Sequence, residues 1–223
     1  MSEHDQIEPE EPVEGPVEAE AAPEKPTEEE IRRRDLALGQ VVTYGDPVLR
    51  SKASEVREFG EELEREAKHM IAIMRDAMGV GLAATQLGAL RRMLVFQAGP
   101  DATPSALLNP TVEWSSEDLA TAAEGCLSLP RIVVDVERPL YVRVSGADLS
   151  GEPVLIEASG LEARVLQHEI DHLDGVLILD RTERDQRKGA MRALREGTSF
   201  TPFSDEDEEA AEEAEPQTAH DAS

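Results

Sequence analysis

The run Arg164-Val165-Leu166-Gln167-His168-Glu169-Ile170-Asp171-His172 constrains this chain more than any other stretch. Helical spacing puts Leu161, Val165, His168 and His172 on one stripe, and Leu166, Ile170 and Leu173 on another. Both stripes are apolar apart from the histidines. The pattern therefore predicts a buried helix over about 160–173, after Ser159-Gly160, with two imidazoles one turn apart facing a cavity. A surface or core helix that merely contains the pattern is the bland alternative. Burying two imidazoles without partners costs a few kcal/mol, and one metal ion can partner both. Glu169, beside the first histidine, can then reach a water on that ion. The reaction class that follows is metal-assisted hydrolysis.

Two histidines do not complete a site. One class of zinc proteases extends the motif as H-E-x-x-H-x-x-G-x-x-H. Gly175 falls at the glycine position, but Ile178 stands where the third ligand belongs, so that class is excluded. Another class takes a glutamate from a later helix, where this chain offers Glu183 and Glu196 in a basic, solvent-facing segment. His4 and His220 lie in the terminal regions, and His69 has a structural place in an amphipathic helix. Cys126 remains, the only cysteine, in Glu124-Gly125-Cys126-Leu127-Ser128. A lone cysteine forms no intramolecular disulfide, and its ordinary place is as a small buried hydrophobe. As a thiolate beside two imidazoles, it completes a three-ligand set with one position left open. The alternative is a cysteine nucleophile with a histidine base, a pair that has no use for a second histidine one turn away.

With these residues assembled, the chain resembles the peptide deformylases. Gly79-Val80-Gly81-Leu82-Ala83-Ala84-Thr85-Gln86, Glu124-Gly125-Cys126-Leu127-Ser128 and Gln167-His168-Glu169-Ile170-Asp171-His172 match that family's motifs in order. Tyr44-Gly45-Asp46-Pro47-Val48-Leu49-Arg50 looks like its usual opening, and the resemblance spans about residues 40–182. It implies removal of the formyl group from the N-terminal formylmethionine of new proteins. Cys126, His168 and His172 would hold the metal, and Glu169 would take the proton from water and return it to the leaving amine. The Gln86 amide and the Leu127 backbone N–H would donate to the developing oxyanion; as plain structure, Gln86 could cap a turn and Leu127 could be core. Ligation by one cysteine and two histidines suits zinc, iron, nickel or cobalt alike. The resemblance implies Fe2+ as the physiological ion, with zinc or nickel replacing it in isolated protein.

The resemblance also implies that the nascent peptide pairs as an added strand along Val80 and Gly81, whose glycine neighbours admit a close backbone. Leu161 and Val165 face the right way to line an apolar slot for methionine, with the Arg164 stem at its mouth. A core role for these three residues is the competing reading. Two other functions stay open: a catalytically idle relative that binds metal or peptide, and a zinc peptidase that cleaves unformylated chains.

The net charge of −26 belongs mostly to the ends of the chain. Residues 1–30 carry twelve acids against one lysine, and residues 204–223 carry nine acids and no lysine or arginine. Such stretches bury too little apolar surface to offset ordering entropy, which predicts acidic, disordered extensions over 1–35 and 204–223 around a catalytic domain at 36–203. Within that domain Glu61 to Met78 reads as an amphipathic helix with Leu63, Ala67, Met70, Ile71, Met74 and Met78 on one face, ended by Gly79. Met93–Ala98, Val112–Trp114, Ile132–Val136, Tyr141–Ala147 and Val154–Ala158 read as strands, and Asn109-Pro110 as a turn or strand entry. The expected class is α+β: antiparallel or mixed sheets around the central helix that carries the histidines, with helices at both ends.

Thr182 to Glu196 reads as a last helix, opened by a Thr182/Asp185 capping pair and closed by Gly197. Its stripe of Arg184, Lys188, Arg192 and Arg195 is either a solvated face or, as the resemblance allows, a contact for ribosomal RNA near the nascent-chain exit. No apolar run is long enough to cross a membrane, and an acidic N-terminus is unlike an organellar or secretory leader. The expected setting is the bacterial cytoplasm, with no DNA or membrane partner.

Overall fold

The structure, a computed structural model, describes residues 26–99 and 101–202. The expectations for the two acidic extensions lie outside these residues, except over 26–35. There the chain is ordered as a helix, α1 (Glu28–Leu38), and the reason is local. The Thr27 hydroxyl accepts from the Glu30 N–H, and the Glu30 carboxylate accepts from the Thr27 N–H at 2.7 Å. Glu28, Glu29 and Glu30 crowd the first turn, where negative charge favours the helix. Ala37 is buried against the core formed with α2 (Glu61–Asp76).

α2 buries Leu63, Ala67, Met70, Ile73 and Met74. Its end departs from expectation: Met78, 72% exposed, takes the left-handed conformation at φ 60°, ahead of Gly79. Gly79 serves close packing instead, since a β-carbon there would stand 3.1 Å from Leu127 Cδ1.

Five antiparallel strands form the main sheet in the order β1 (Gly81–Ala83), β2 (Met93–Phe96), β3 (Ser105–Ser115), β6 (Tyr141–Ala147) and β7 (Pro153–Ser159). β1 is an edge strand, paired only with β2. β3 is longer than its alternating segment suggests and runs straight through Asn109-Pro110. The register shifts there, with Asn109 at φ 51°, and the bulge accommodates a residue that has no N–H to donate. β4 (Leu119–Cys126) and β5 (Leu129–Pro139) form a separate antiparallel ribbon.

α3 (Gly160–Leu173) is the central helix. Ala163, Val165, Leu166, Ile170 and Leu173 pack with Val142, Val144 and Ala158 of the main sheet. The short α4 (Ile178–Arg181) leads into α5 (Arg184–Glu196). The Thr182/Asp185 capping pair does not form. Glu183 is the N-cap without a side-chain bond, Thr182 binds Gln186, and Asp185 accepts from Lys188 instead. Gly197 closes α5 at φ 69°, as expected. Ala190 and Ala193 seat α5 on the ribbon, and Gly189 leaves room for the Phe200 ring. Phe200 also pairs with the ribbon: its N–H donates to Arg131 O, and the Val133 N–H donates to Phe200 O. The fold is α+β, with antiparallel sheets around α3 and helices at both ends of the described chain.

Candidate metal centre and active site

The end of β4 brings Cys126 to the face of α3 that carries His168 and His172. One donor atom from each lies within 4.8 Å of the others, and Cys126 Sγ is 3.2 Å from His172 Nε2. The i, i+4 spacing thus places both rings beside a thiol that is 42 residues before the first of them.

Each histidine is held differently. The His168 Nδ1 donates to Glu124 Oε2 at 2.9 Å, which orients the ring so that Nε2 can serve a cation that displaces its proton. Burial lowers the His172 pKa well below the ordinary value and keeps that ring neutral. Burial opposes a charge on His168 too, but the Cys126 thiol and the Glu124 and Glu169 carboxylates beside it reverse the balance and raise its pKa well above normal. A thiol, two imidazoles and nearby carboxylates favour positive charge at the centre of the cluster. This donor set fits a divalent cation of the zinc or iron kind.

Glu169 is buried next to the cluster, and its Oε2 has no hydrogen-bond partner. Burial pushes its carboxyl up to about 7. A buried polar atom without a partner is expensive, and this one belongs to a residue that lines the cavity beside the donor cluster. Its place depends on a glycine. A β-carbon on Gly81 would lie 2.5 Å from Glu169 Oε1 and 2.8 Å from its Cγ. Gly81→Ala is therefore expected to displace the carboxylate by several tenths of an ångström or more and to cut kcat about 10²-fold, with metal content unchanged. Kinetics paired with elemental analysis check this, and wild-type turnover in the variant would sink the positional argument.

Gln86 is buried in a 3₁₀ turn after β1. Its Oε1 accepts from the Ala83 N–H at 2.9 Å, which orients the amide so that Nε2 lies 3.7 Å from Cys126 Sγ and 3.3 Å from Ser128 Oγ. Leu127 is in the two-residue turn between β4 and β5, half-buried on the same cavity.

That cavity, of about 610 Å³, is lined by the sequence-predicted Val80, Gly81, Leu161, Arg164 and Val165 together with His168 and Glu169. Leu161, 54% exposed, and buried Val165 form one wall. The Arg164 guanidinium is turned inward, with Nη1 on Glu124 at 2.7 Å and Nη2 on Ala120 O at 2.7 Å, so only the remainder of that side chain serves the cavity.

Glu124 carries more of this site than its place in the sequence suggested. It is buried, yet it accepts from His168, from Arg164 and from both Nε and Nη2 of Arg138. Burial alone would raise its pKa, but the hydrogen bonds from His168 and Arg138 bring it down to about 2. Arg138 also donates to Asp171, which in turn binds Arg181. Neither Arg138 nor Asp171 was foreseen. The one available signal was an Asp inside the histidine motif with no surface to face.

The family model described as polypeptide deformylase matches residues 38–188. The chain is 45% identical over 167 residues to peptide deformylase 1 of Corynebacterium glutamicum, covering 74% of this chain and 99% of that one. Among solved structures, Synechococcus elongatus peptide deformylase in complex with actinonin superposes with a TM-score of 0.67 at 39% identity, over 73% of this chain and 91% of the other. Arabidopsis thaliana peptide deformylase 1B, bound to an inhibitor, gives 0.68 at 35% identity over 70% and 88%. With the family match over most of the chain, relatives at this identity and a shared fold, this chain belongs to the peptide deformylase family.

Proposed function

We propose that the chain hydrolyses the formamide of N-formylmethionyl peptides, with Cys126, His168 and His172 holding one divalent ion. The observation that supports this most is the partnerless Glu169 Oε2, buried beside a three-donor cluster at the floor of a peptide-sized cavity. When bound, such an ion acidifies water and polarises the formyl carbonyl. Glu169 Oε2 takes a proton from the attacking water and hands it to the departing amine nitrogen. A carboxyl near 7 suits both steps at neutral pH. The Gln86 Nε2 and the Leu127 N–H donate to the oxygen that gains charge, the former held in aim by its bond to Ala83. The free edge of β1 at Val80 and Gly81 receives the peptide backbone, and Leu161 and Val165 line the methionine slot. Fe2+ is the ion we assign, with Zn2+, Ni2+ or Co2+ able to substitute. A thiolate-bound ferrous ion calls for a reducing cytoplasm, and no described helix is long and apolar enough to cross a membrane.

The catalytic unit in this reading is 36–203, flanked by the acidic 1–35 and 204–223, with α1 added to its edge. α5 supports ribosome contact: Arg184, Arg187, Lys188, Arg192 and Arg195 line one groove. Arg184, Arg192 and Arg195 have no ion-pair partner among the described residues, as a surface for a phosphate backbone requires.

Freshly purified, anaerobically handled protein is expected to release formate from formyl-Met-Ala-Ser and to leave unformylated Met-Ala-Ser intact. Cleavage of the unformylated peptide would instead favour a zinc peptidase, and no reaction with either would favour an idle binding protein.

A further inference from the structure

The family match begins at residue 38, so nearly all of α1 lies outside it. α1 nevertheless reaches the cavity. Arg34 and Leu38, one turn apart, line its rim together with Met78, Val80 and Arg131. Nor is α1 a loose appendage. Its capping box closes the first turn, and Ala37 and Leu38 pack into the core shared with α2. The backbone that carries Arg34 is thereby held in place by elements that have no part in the metal centre.

The charges around this cavity do not balance along its depth. Its ionisable lining groups are Arg34, Glu124, Cys126, Arg131, Arg164, His168 and Glu169, with Cys126 in the donor cluster. Glu124 is matched by Arg138, Arg164 and His168, and Arg164 is taken up by Glu124 and two backbone carbonyls. Glu169 is buried at the floor. Arg34 and Arg131 remain, both exposed, with no ion-pair partner among the described residues. Arg131 donates Nη2 to Gly197 O at 2.7 Å, which fixes its guanidinium without neutralising it. The acids of this lining thus lie at the floor, and the rim is cationic.

Resting on the deformylase reading, we propose that Arg34 and Arg131 select formylmethionyl peptides with acidic side chains in the residues just after the methionine. The formyl end must lie at the floor by Glu169. An extended chain advances about 3.3 Å per residue, so in this reading the residues just after the methionine are the ones that leave the floor for the rim. A side-chain carboxylate there gains two cationic neighbours, and an ammonium is repelled by them. Because the rim faces water, the effect is modest and screened by salt.

The test compares kcat/KM for formyl-Met-Glu-Glu-Ala, formyl-Met-Gln-Gln-Ala and formyl-Met-Lys-Lys-Ala at low and high ionic strength. The acidic peptide is expected to exceed the basic one about tenfold in about 50 mM salt, chiefly through KM, with the ratio shrinking several-fold in about 0.5 M salt. Arg34→Glu, an exposed site with no partner to lose, should lower the acidic-to-basic ratio at least threefold, and Arg34→Lys should retain most of it. Equal rates for the three peptides, or a ratio that Arg34→Glu leaves in place, would overturn the selection while leaving deformylation intact. Failure to release formate from any of them would instead overturn the activity on which it rests.

Discussion

Glu169→Gln is expected to leave a folded chain that carries one metal ion and releases formate about 10²- to 10⁴-fold more slowly. The substitution keeps the side chain's size, so the tight fit against Gly81 survives. It removes only the capacity to hold a proton at Oε2. The Cys126, His168 and His172 donors are untouched, so metal content separates a lost base from a lost centre. KM should change little, because in the proposed reading the carboxylate meets the reacting water and not the peptide backbone. Steady-state kinetics together with elemental analysis decide the matter. A variant within tenfold of wild type, at full metal loading, would refute Glu169 as the base.

The largest stability effect is expected at Arg138, which touches neither metal donors nor substrate. This guanidinium is buried and bridges Glu124 and Asp171, with bonds of 2.6 and 2.9 Å to the first and 2.9 Å to the second. Arg138→Met leaves Glu124 with His168 and Arg164, and Asp171 with Arg181 alone. Removing one partner from a buried ion pair costs about 3–5 kcal/mol, out of a total stability of about 5–15 kcal/mol. The urea midpoint should fall accordingly. Because Glu124 also orients His168, metal affinity should drop about 10- to 100-fold in a chelator competition. The double variant Arg138→Met/Glu124→Gln should recover part of the stability but not the metal affinity. A loss below about 1 kcal/mol in the single variant would show that the network is not under tension from its charges.

What the sequence made legible follows from where each piece of information is stored. The two histidines and Glu169 are read from spacing because a helix converts i, i+4 into one face. Grouping Cys126 with them needed only the absence of other donors. Gln86, Leu127, Val80 and Gly81 come with motif order, Leu161 with helical spacing before His168, and all five line the same cavity. The place of Glu124 could not be read this way. It depends on Arg138, whose partnership is set by pairing across the β4–β5 ribbon, and β4 itself, with Leu119-Ala120-Thr121-Ala122-Ala123, has no apolar alternation to announce a strand. α1 escaped notice for a different reason. Averaged charge described residues 28–35 as unable to fold, while the order is set by one capping threonine and one buried alanine. Helical spacing places the Arg164 stem by the cavity, but it says nothing of where the guanidinium goes, because its partners lie 28 to 44 residues distant.

The pairing of Phe200 with β5 has a consequence in time. Arg131, Ile132 and Val133 form part of the cavity wall, and two of them share backbone hydrogen bonds with a residue that is joined to the chain nearly seventy positions later. Chains emerge from synthesis N-terminus first. The Cys126, His168 and His172 donors and Glu169 are therefore already made while one wall of the cavity still lacks its outer backbone partner, and the cavity is completed only after the cluster beside it.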